Sequence, residues 1–303
     1  MDTAASHGPR PSLIVSLLAI AAIATGCGDS APAAPESVPG TDTAAIGTAG
    51  ATVTKAQFNR FLMAQIRGTS PIGGSIGGSI PLDPPGFARC KAALAANAAK
   101  NKQPQPAAAQ LTAGCKSQYE QTRSAVQSQL ISYQWLLQEA KQEGIKIDPT
   151  EVDQTLSQYV TASAGAKASA TTAKAAFEQR LGKSGMTRAD VQLQIKAQIA
   201  QQKLSSKEQA ESEEPSTDEA KAFYKKNRGL FITSNGKKAP PFDRIEEQVK
   251  SQLKSTRLQV KQVAFQNDLQ REWRAATLCA KGFVVSQCSN GPKLADLVPP
   301  KVD

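Results

Sequence analysis

Cysteine and histidine, five and one respectively, are this chain's most versatile reactive side chains, and their positions decide most of the chemistry open to it. Cys27 closes Ala24-Thr25-Gly26-Cys27 directly behind an apolar run from Leu13 to Ile23, which follows a short segment carrying Arg10. A charged start, a short apolar core and small residues at the cut define an export signal. The run is shorter than the about 20 residues needed to span a bilayer. A cysteine behind Ala-Thr-Gly is similar to the bacterial lipobox, where cleavage leaves that cysteine acylated at the new N-terminus. Residues 1–26 are therefore expected to be removed. Cys27 would then carry the lipid, palmitate included, that tethers the chain to the extracytoplasmic face of the cell membrane. The alternative is an ordinary export signal beside an unrelated cysteine.

The other four cysteines are Cys90, Cys115, Cys279 and Cys288, an even number for an oxidising compartment. Four cysteines allow three pairings, and spacing alone does not choose among them. The sequential pairing, 90 with 115 and 279 with 288, keeps each bridge local and is the favoured expectation. On chain-entropy grounds such loops contribute about 3.5 and about 2.7 kcal/mol. Neither spacing is C-x2-C, and no histidine is at hand to complete a zinc set, so no metal is expected.

His7 lies inside the segment expected to be removed. Without an imidazole, Ser-His and Cys-His nucleophiles, HExxH metal sites and histidine bases are all excluded. The adjacent pairs Glu213-Glu214 and Glu246-Glu247 do not share a helix face and read as solvated surface. No catalytic residue and no cofactor is assigned.

The elements that would position any surface are helical. Aromatic residues make up 5% of the chain and β-branched runs are scarce, while Ala, Gln and Lys abound, a mix that favours helix over strand. The net charge of +10 is spread along the chain rather than clustered with aromatics, which argues against nucleic acid. Anionic headgroups, cell-wall polymers or acidic polypeptide segments suit it better.

Residues 27–50 are Ala-, Pro-, Gly- and Thr-rich and read as a flexible tether. Thr54, with Gln57 three residues on, starts a helix whose stripe is Phe58, Phe61, Leu62 and Ile66 and which stops at Gly68. A tandem Ile-Gly-Gly-Ser over 72–80 reads as a mobile loop, because no Lys-Ser/Thr follows to make it a phosphate cradle. Two helical stubs with a turn at Gln103–Pro106 are expected between Cys90 and Cys115. A long helix then runs from Leu111 to Glu143, with Tyr119, Val126, Leu130, Tyr133, Leu137 and Ala140 as its main stripe and Ile131 and Trp135 widening it. Asp148-Pro149 opens a third helix carrying Val152, Leu156 and Val160. The composition of 161–176 leaves its conformation open. Phe177 and Leu181 mark a short helix, Thr187-x-x-Asp190 caps another, and Ser216-Thr217-Asp218 starts one that ends near Asn227. From Pro241 to Thr277 a final helix carries one stripe early (Phe242, Ile245, Val249, Leu253, Val260, Val263) and an opposed one late (Leu258, Phe265, Leu269, Trp273). A helix that changes its buried face midway packs against two different partners.

The segment order resembles the SurA/PrsA/trigger-factor-like chaperone family. The resemblance is carried by Leu130-Ile131 through Trp135, Glu139 to Ile147, Glu151-Val152, Gly185-Met186-Thr187-x-x-Asp190-Val191, and Ala222-Phe223-Tyr224-Lys225-Lys226-Asn227 with Phe231. The last is similar to the family's Tyr-Tyr-x-x-Asn-x-x-x-Phe helix, and the Trp273…Cys279…Cys288-Ser289-Asn290-Gly291 ending is similar to exported actinobacterial members. Relatives with prolyl isomerase activity carry a parvulin domain where this chain has only residues 232–241. A domain usually needs more than about 40 residues, so none fits there.

The resemblance implies an all-α, composite chaperone-type domain over 51–277, in which the long C-terminal helix returns to the N-terminal helices. A disulfide-closed turn at 278–291 and a tail at 292–303 would follow. It further implies that the protein binds unfolded exported polypeptides without isomerising prolines, through apolar side chains such as Phe61, Tyr159, Phe223, Tyr224 and Phe231. The same five can be core instead, and for each of them core is the better reading. A structural or cell-wall-associated helical lipoprotein is the alternative function, and a prolyl isomerase the second.

Overall fold

In the computed structural model, residues 37–38, 40–47, 50–69, 71, 81–164, 168–210, 213–232 and 238–292 are described. His7, Cys27, the Ile-Gly-Gly-Ser repeat and residues 233–237 and 293–303 lie outside them. The described elements run β1 (Thr43–Ile46), β2 (Thr52–Thr54), α1 (Lys55–Arg67), α2 (Ala88–Lys100), α3 (Ala108–Gln142), α4 (Pro149–Ala164), α5 (Ala170–Ser184), α6 (Arg188–Ala210), α7 (Thr217–Lys226), α8 (Phe242–Ala275) and β3 (Leu278–Cys279). The fold is predominantly helical, with one small antiparallel sheet of order β2-β1-β3.

That sheet corrects the tether expectation. Ala44 and Ala45 of β1 are buried, and β1 lies between β2 and the C-terminal β3, with Ala45 opposite Cys279 and Ile46 opposite Leu278. Small side chains, read in sequence as too slight for a core, are what let this strand lie close under the helices.

Helix limits follow local chemistry. Thr54 Oγ1 accepts from the Gln57 backbone N–H at 3.1 Å, and Gly68 closes α1 in the left-handed region at φ 63°, where a Cβ would be strained. Gly185 ends α5 the same way at φ 77°. The stretch left open in sequence is largely helical: α4 continues to Ala164, and Ser169 caps α5. The two stubs expected between Cys90 and Cys115 resolve differently. One is α2, and the other is the opening of α3, which starts at Ala108 with Gln110 Oε1 accepting from the Ala107 N–H. The Cys90–Cys115 disulfide therefore joins two helices and sits in a satellite core with Leu82 and Phe87.

The main core forms around α3. Val126, Leu130, Ile131, Trp135, Leu136 and Ala140 are buried against Phe58, Phe61 and Leu62 of α1, Val152 and Leu156 of α4, and Val191, Ile195, Ile199 and Leu204 of α6. The face at Ile131 and Trp135, read as a widening of the stripe, is as deep as the main one because α3 is covered on more than one side.

A buried ion pair ties α1 to the start of α6. Arg60 Nε and Nη2 donate to the two oxygens of Asp190 at 2.6 and 2.8 Å, while Asp190 Oδ2 also accepts from the Thr187 N–H and hydroxyl, each at 2.8 Å. The Asp190 side chain is 1% exposed. Burial pushes its carboxyl up, but the Arg60 and Thr187 hydrogen bonds and the Arg60 charge together hold it below its ordinary value. A depressed folded-state value gives stability that is present above the unfolded carboxyl's range and lost as pH falls through the folded one. Arg60→Ala should lower stability at pH 7 by roughly 2–4 kcal/mol, since it strands a buried charge. In urea titrations the gap between wild type and Asp190→Asn should shrink below about pH 4. A constant gap down to pH 2 would show that the charge of Asp190 contributes nothing.

Candidate functional site

The residues named from sequence as polypeptide contacts are mostly interior. Phe61 is buried in the main core with its ring edge toward Tyr133 at 6.4 Å. Tyr159 is half-buried against the same core and donates its hydroxyl to Gln198 Oε1 at 2.8 Å. Phe223, Tyr224 and Phe231 come together, but as a core of their own.

That second core builds an arm from α7, the 3-10 turn Arg228–Phe231 and the first half of α8. Ala220, Tyr224, Phe231 and Val249 are buried there, with Phe223, Ala239, Phe242 and Ile245 packed around them. Tyr224 meets Phe231 at 5.4 Å and Phe242 at 5.9 Å, and its hydroxyl donates to the Pro240 carbonyl. Ser216 and Glu219 cap α7 reciprocally. Glu219 is held down to about 2 by the Arg257 hydrogen bond first and then by the Ser216 backbone and hydroxyl. Three of the five sequence candidates thus hold the arm together rather than face solvent.

At its other end α8 docks into the main core. Leu269 and Trp273 are buried and Phe265 packs beside them. Trp273 donates its indole N–H to Glu139 Oε2 at 2.8 Å. Trp135 donates to Thr277 Oγ1 at 2.8 Å, and that hydroxyl donates onward to the Trp273 carbonyl. The expected change of buried face along this helix is present, and the chain returns to α3 as expected.

Between the two docked ends lies a span that neither core claims. From Leu253 to Phe265 the apolar side chains are Leu258 and Val260, half-buried and in no core cluster, and Val263, 44% exposed. Lys254 pairs with Glu214 and Arg257 with Glu219 along the same stretch. Sequence periodicity assigned Val260 and Val263 to the first stripe and Leu258 to the second. The missed signal was the overlap itself: where two opposed stripes share a few turns, one helix cannot bury both.

The remaining exposed apolar side chains among the described residues include Leu230 (68%) and Ile232 (53%) at the tip of the arm. A cleft between the sheet, Trp135 and Trp273 encloses only about 10 Å³, at most a single water, and is no side-chain pocket. Cys90–Cys115 and Cys279–Cys288 are disulfides, and no metal-binding cluster of His, Cys, Asp or Glu occurs among the described residues. Nor is any described helix long and apolar enough to cross a membrane.

What this geometry defines is a helical domain with an outlying arm built on α7 and the first half of α8, the two parts linked by α8. Residues 91–205, from α2 through most of α6, match the model of the SurA-like N-terminal domain. The match stops short of the arm and of α8. No curated protein and no solved structure matches the chain.

Glu139 sits where the two parts of the fold meet. Burial raises its carboxyl above the ordinary range, the Trp273 bond opposes that, and Glu272 and Glu143 raise it further. A raised carboxyl works against the folded state when ionised, so stability from this group grows as pH falls through the folded value. Glu139→Gln keeps an oxygen for the Trp273 N–H. It should leave stability at pH 7 unchanged or higher, and abolish a titration of Trp273 emission centred above about pH 4.3. A substantial loss of stability in Glu139→Gln would show that the charge itself is needed.

Proposed function

We propose that this protein is a lipid-anchored, chaperone-like polypeptide-binding protein that holds unfolded exported chains and does not isomerise their prolines. The SurA-like domain supports the chaperone relationship. The observation that carries the binding surface is the span of α8 between the two cores, where Val263 is 44% exposed and Val260 half-buried on one stripe, beside the exposed Lys261. Each apolar contact there is worth about 1–2 kcal/mol when covered, weak enough singly to release a chain and additive enough to retain one. Positive charge adds preference for acidic segments.

Three features support a binder rather than an isomerase. Only ten residues, 232–241, separate Phe231 from Phe242. The single histidine is His7. Rotation about the X-Pro bond meets a barrier of about 18–20 kcal/mol, and lowering it calls for a formed pocket that twists the amide.

The chain beginning at Ala31 keeps every described element. It should suppress aggregation of a denatured exported protein at stoichiometric amounts and leave the slow phase of proline-limited refolding unaccelerated. Val260→Ser with Val263→Ser should weaken suppression about threefold or more while helicity is retained. Acceleration at substoichiometric amounts would make the protein an isomerase. Failure to suppress any aggregation would favour a structural lipoprotein.

Membrane attachment through Cys27 is tested separately. Cys27→Ala in the full chain should block acylation and release the protein from membranes or leave it unprocessed. A processed and still membrane-bound Cys27→Ala protein would overturn the anchor.

A further inference from the structure

The tip of the arm combines exposed apolar side chains with one-sided charge. Leu230 and Ile232 are its most exposed large apolar side chains, at 68% and 53%, flanking the buried Phe231. Around them the sequence is one-sided in charge. Residues 220–242 contain six lysines and arginines and no aspartate or glutamate. Of these, Lys225, Lys226, Arg228 and Lys238 are exposed on either side of the apolar pair, and Arg228 lies over the Tyr224 ring at 5.6 Å.

Most acidic residues of the arm are engaged elsewhere: Glu219, at the start of α7, is paired with Arg257, and Glu246 and Glu247 of α8 are paired with Lys250. Asp243, in the first turn of α8, is the nearest acidic residue on the other side of the stretch. The tip itself is rigid in design: Tyr224, Phe231 and Phe242 pack beneath it, and the Tyr224 hydroxyl holds Pro240. An apolar pair is thus held out from a packed base inside a cationic collar.

We infer that this tip docks on an anionic lipid bilayer, with Leu230 and Ile232 entering the headgroup region and Lys225, Arg228 and Lys238 facing lipid phosphates. Two protruding apolar tips suit an interface, which needs no groove, since shallow insertion combined with basic residues near anionic headgroups is sufficient for attachment. An acidic polypeptide would need an enclosing surface for its own side chains, and the two exposed side chains form none. The inference goes beyond the proposed polypeptide binding and rests on different residues. It is also independent of Cys27. A second, reversible contact would orient a tethered chain so that the α8 span is presented to emerging polypeptides.

The test uses the chain beginning at Ala31, which lacks Cys27 and therefore any lipid. It should co-sediment with vesicles of mixed phosphatidylglycerol and phosphatidylcholine, not with pure phosphatidylcholine, and the binding should fall steeply when salt is raised to about 0.5 M. Leu230→Ser with Ile232→Ser, and separately Lys225→Glu with Lys238→Glu, should each lower vesicle partitioning about tenfold or more, with unchanged circular dichroism. Aggregation suppression by the Leu230→Ser, Ile232→Ser protein should match wild type, so the failure of one proposal is distinguishable from failure of the other. Equal binding to neutral vesicles, or anionic binding that survives both double variants, would overturn the inference. Binding to soluble poly-glutamate without binding to vesicles would also overturn it and assign the tip to acidic polypeptides.

Discussion

The return of α8 to α3 is the constraint on which the rest of the structure depends. Trp273 is buried at the end of α8, which kinks at Ile245 and runs on for about 45 Å, and whose other end lies in a separate core. Its indole N–H is satisfied by Glu139, and the Thr277 hydroxyl links the Trp273 carbonyl to the Trp135 indole. Because both indoles are bonded as well as buried, the junction has a fixed rotation as well as affinity, so the direction of the arm is set there. β3 follows within three residues and pairs with β1, which brings the N-terminal strand into the same junction.

The junction is reinforced by the closing loop. Cys279–Cys288 holds a short loop in which Phe283 meets Phe58 edge-on at 5.0 Å, with the Arg123 guanidinium over both rings and donating to the Gly282 carbonyl at 3.0 Å. On the opposite flank Arg60–Asp190 fixes α1 to the α5–α6 turn. Both devices join α1 to elements far away in sequence. The elements before the family-matched stretch, β1, β2 and α1, are therefore integral to the main core.

A long helix held at its two ends buries its middle only in part. That is the physical origin of the α8 span with Leu258, Val260 and Val263, and it requires no special sequence there beyond apolar residues that neither core can reach. The arm's small core has the same logic: Tyr224, Phe231 and Phe242 are enough to make a rigid tip, and their burial obliges Leu230 and Ile232, their neighbours in a tight turn, to face outward.

The helices were legible in the sequence because their signals are local. Thr54 with Gln57, Thr187 with Asp190, Ser216 at the start of α7, and the glycine at 68 act within one turn of chain, and the two opposed stripes of α8 announced its two partners. The sequential disulfides follow from the same locality. What the sequence could not supply was which apolar face is covered. Phe61, Tyr224 and Phe231 read as either contact or core, core being the better reading, and are interior, while Leu258 and Val260 look like stripe residues and stand outside both cores. Small residues at 43–46 gave no strand signal because β1 forms only between β2 and a β3 more than two hundred residues away. Asp190, legible as a cap, became the centre of a buried ion pair only when folding brought Arg60 to it across 130 positions. Propensity and capping act between neighbours and are written in order along the chain. Burial and pairing between distant segments depend on which surfaces meet, and tertiary structure decides that.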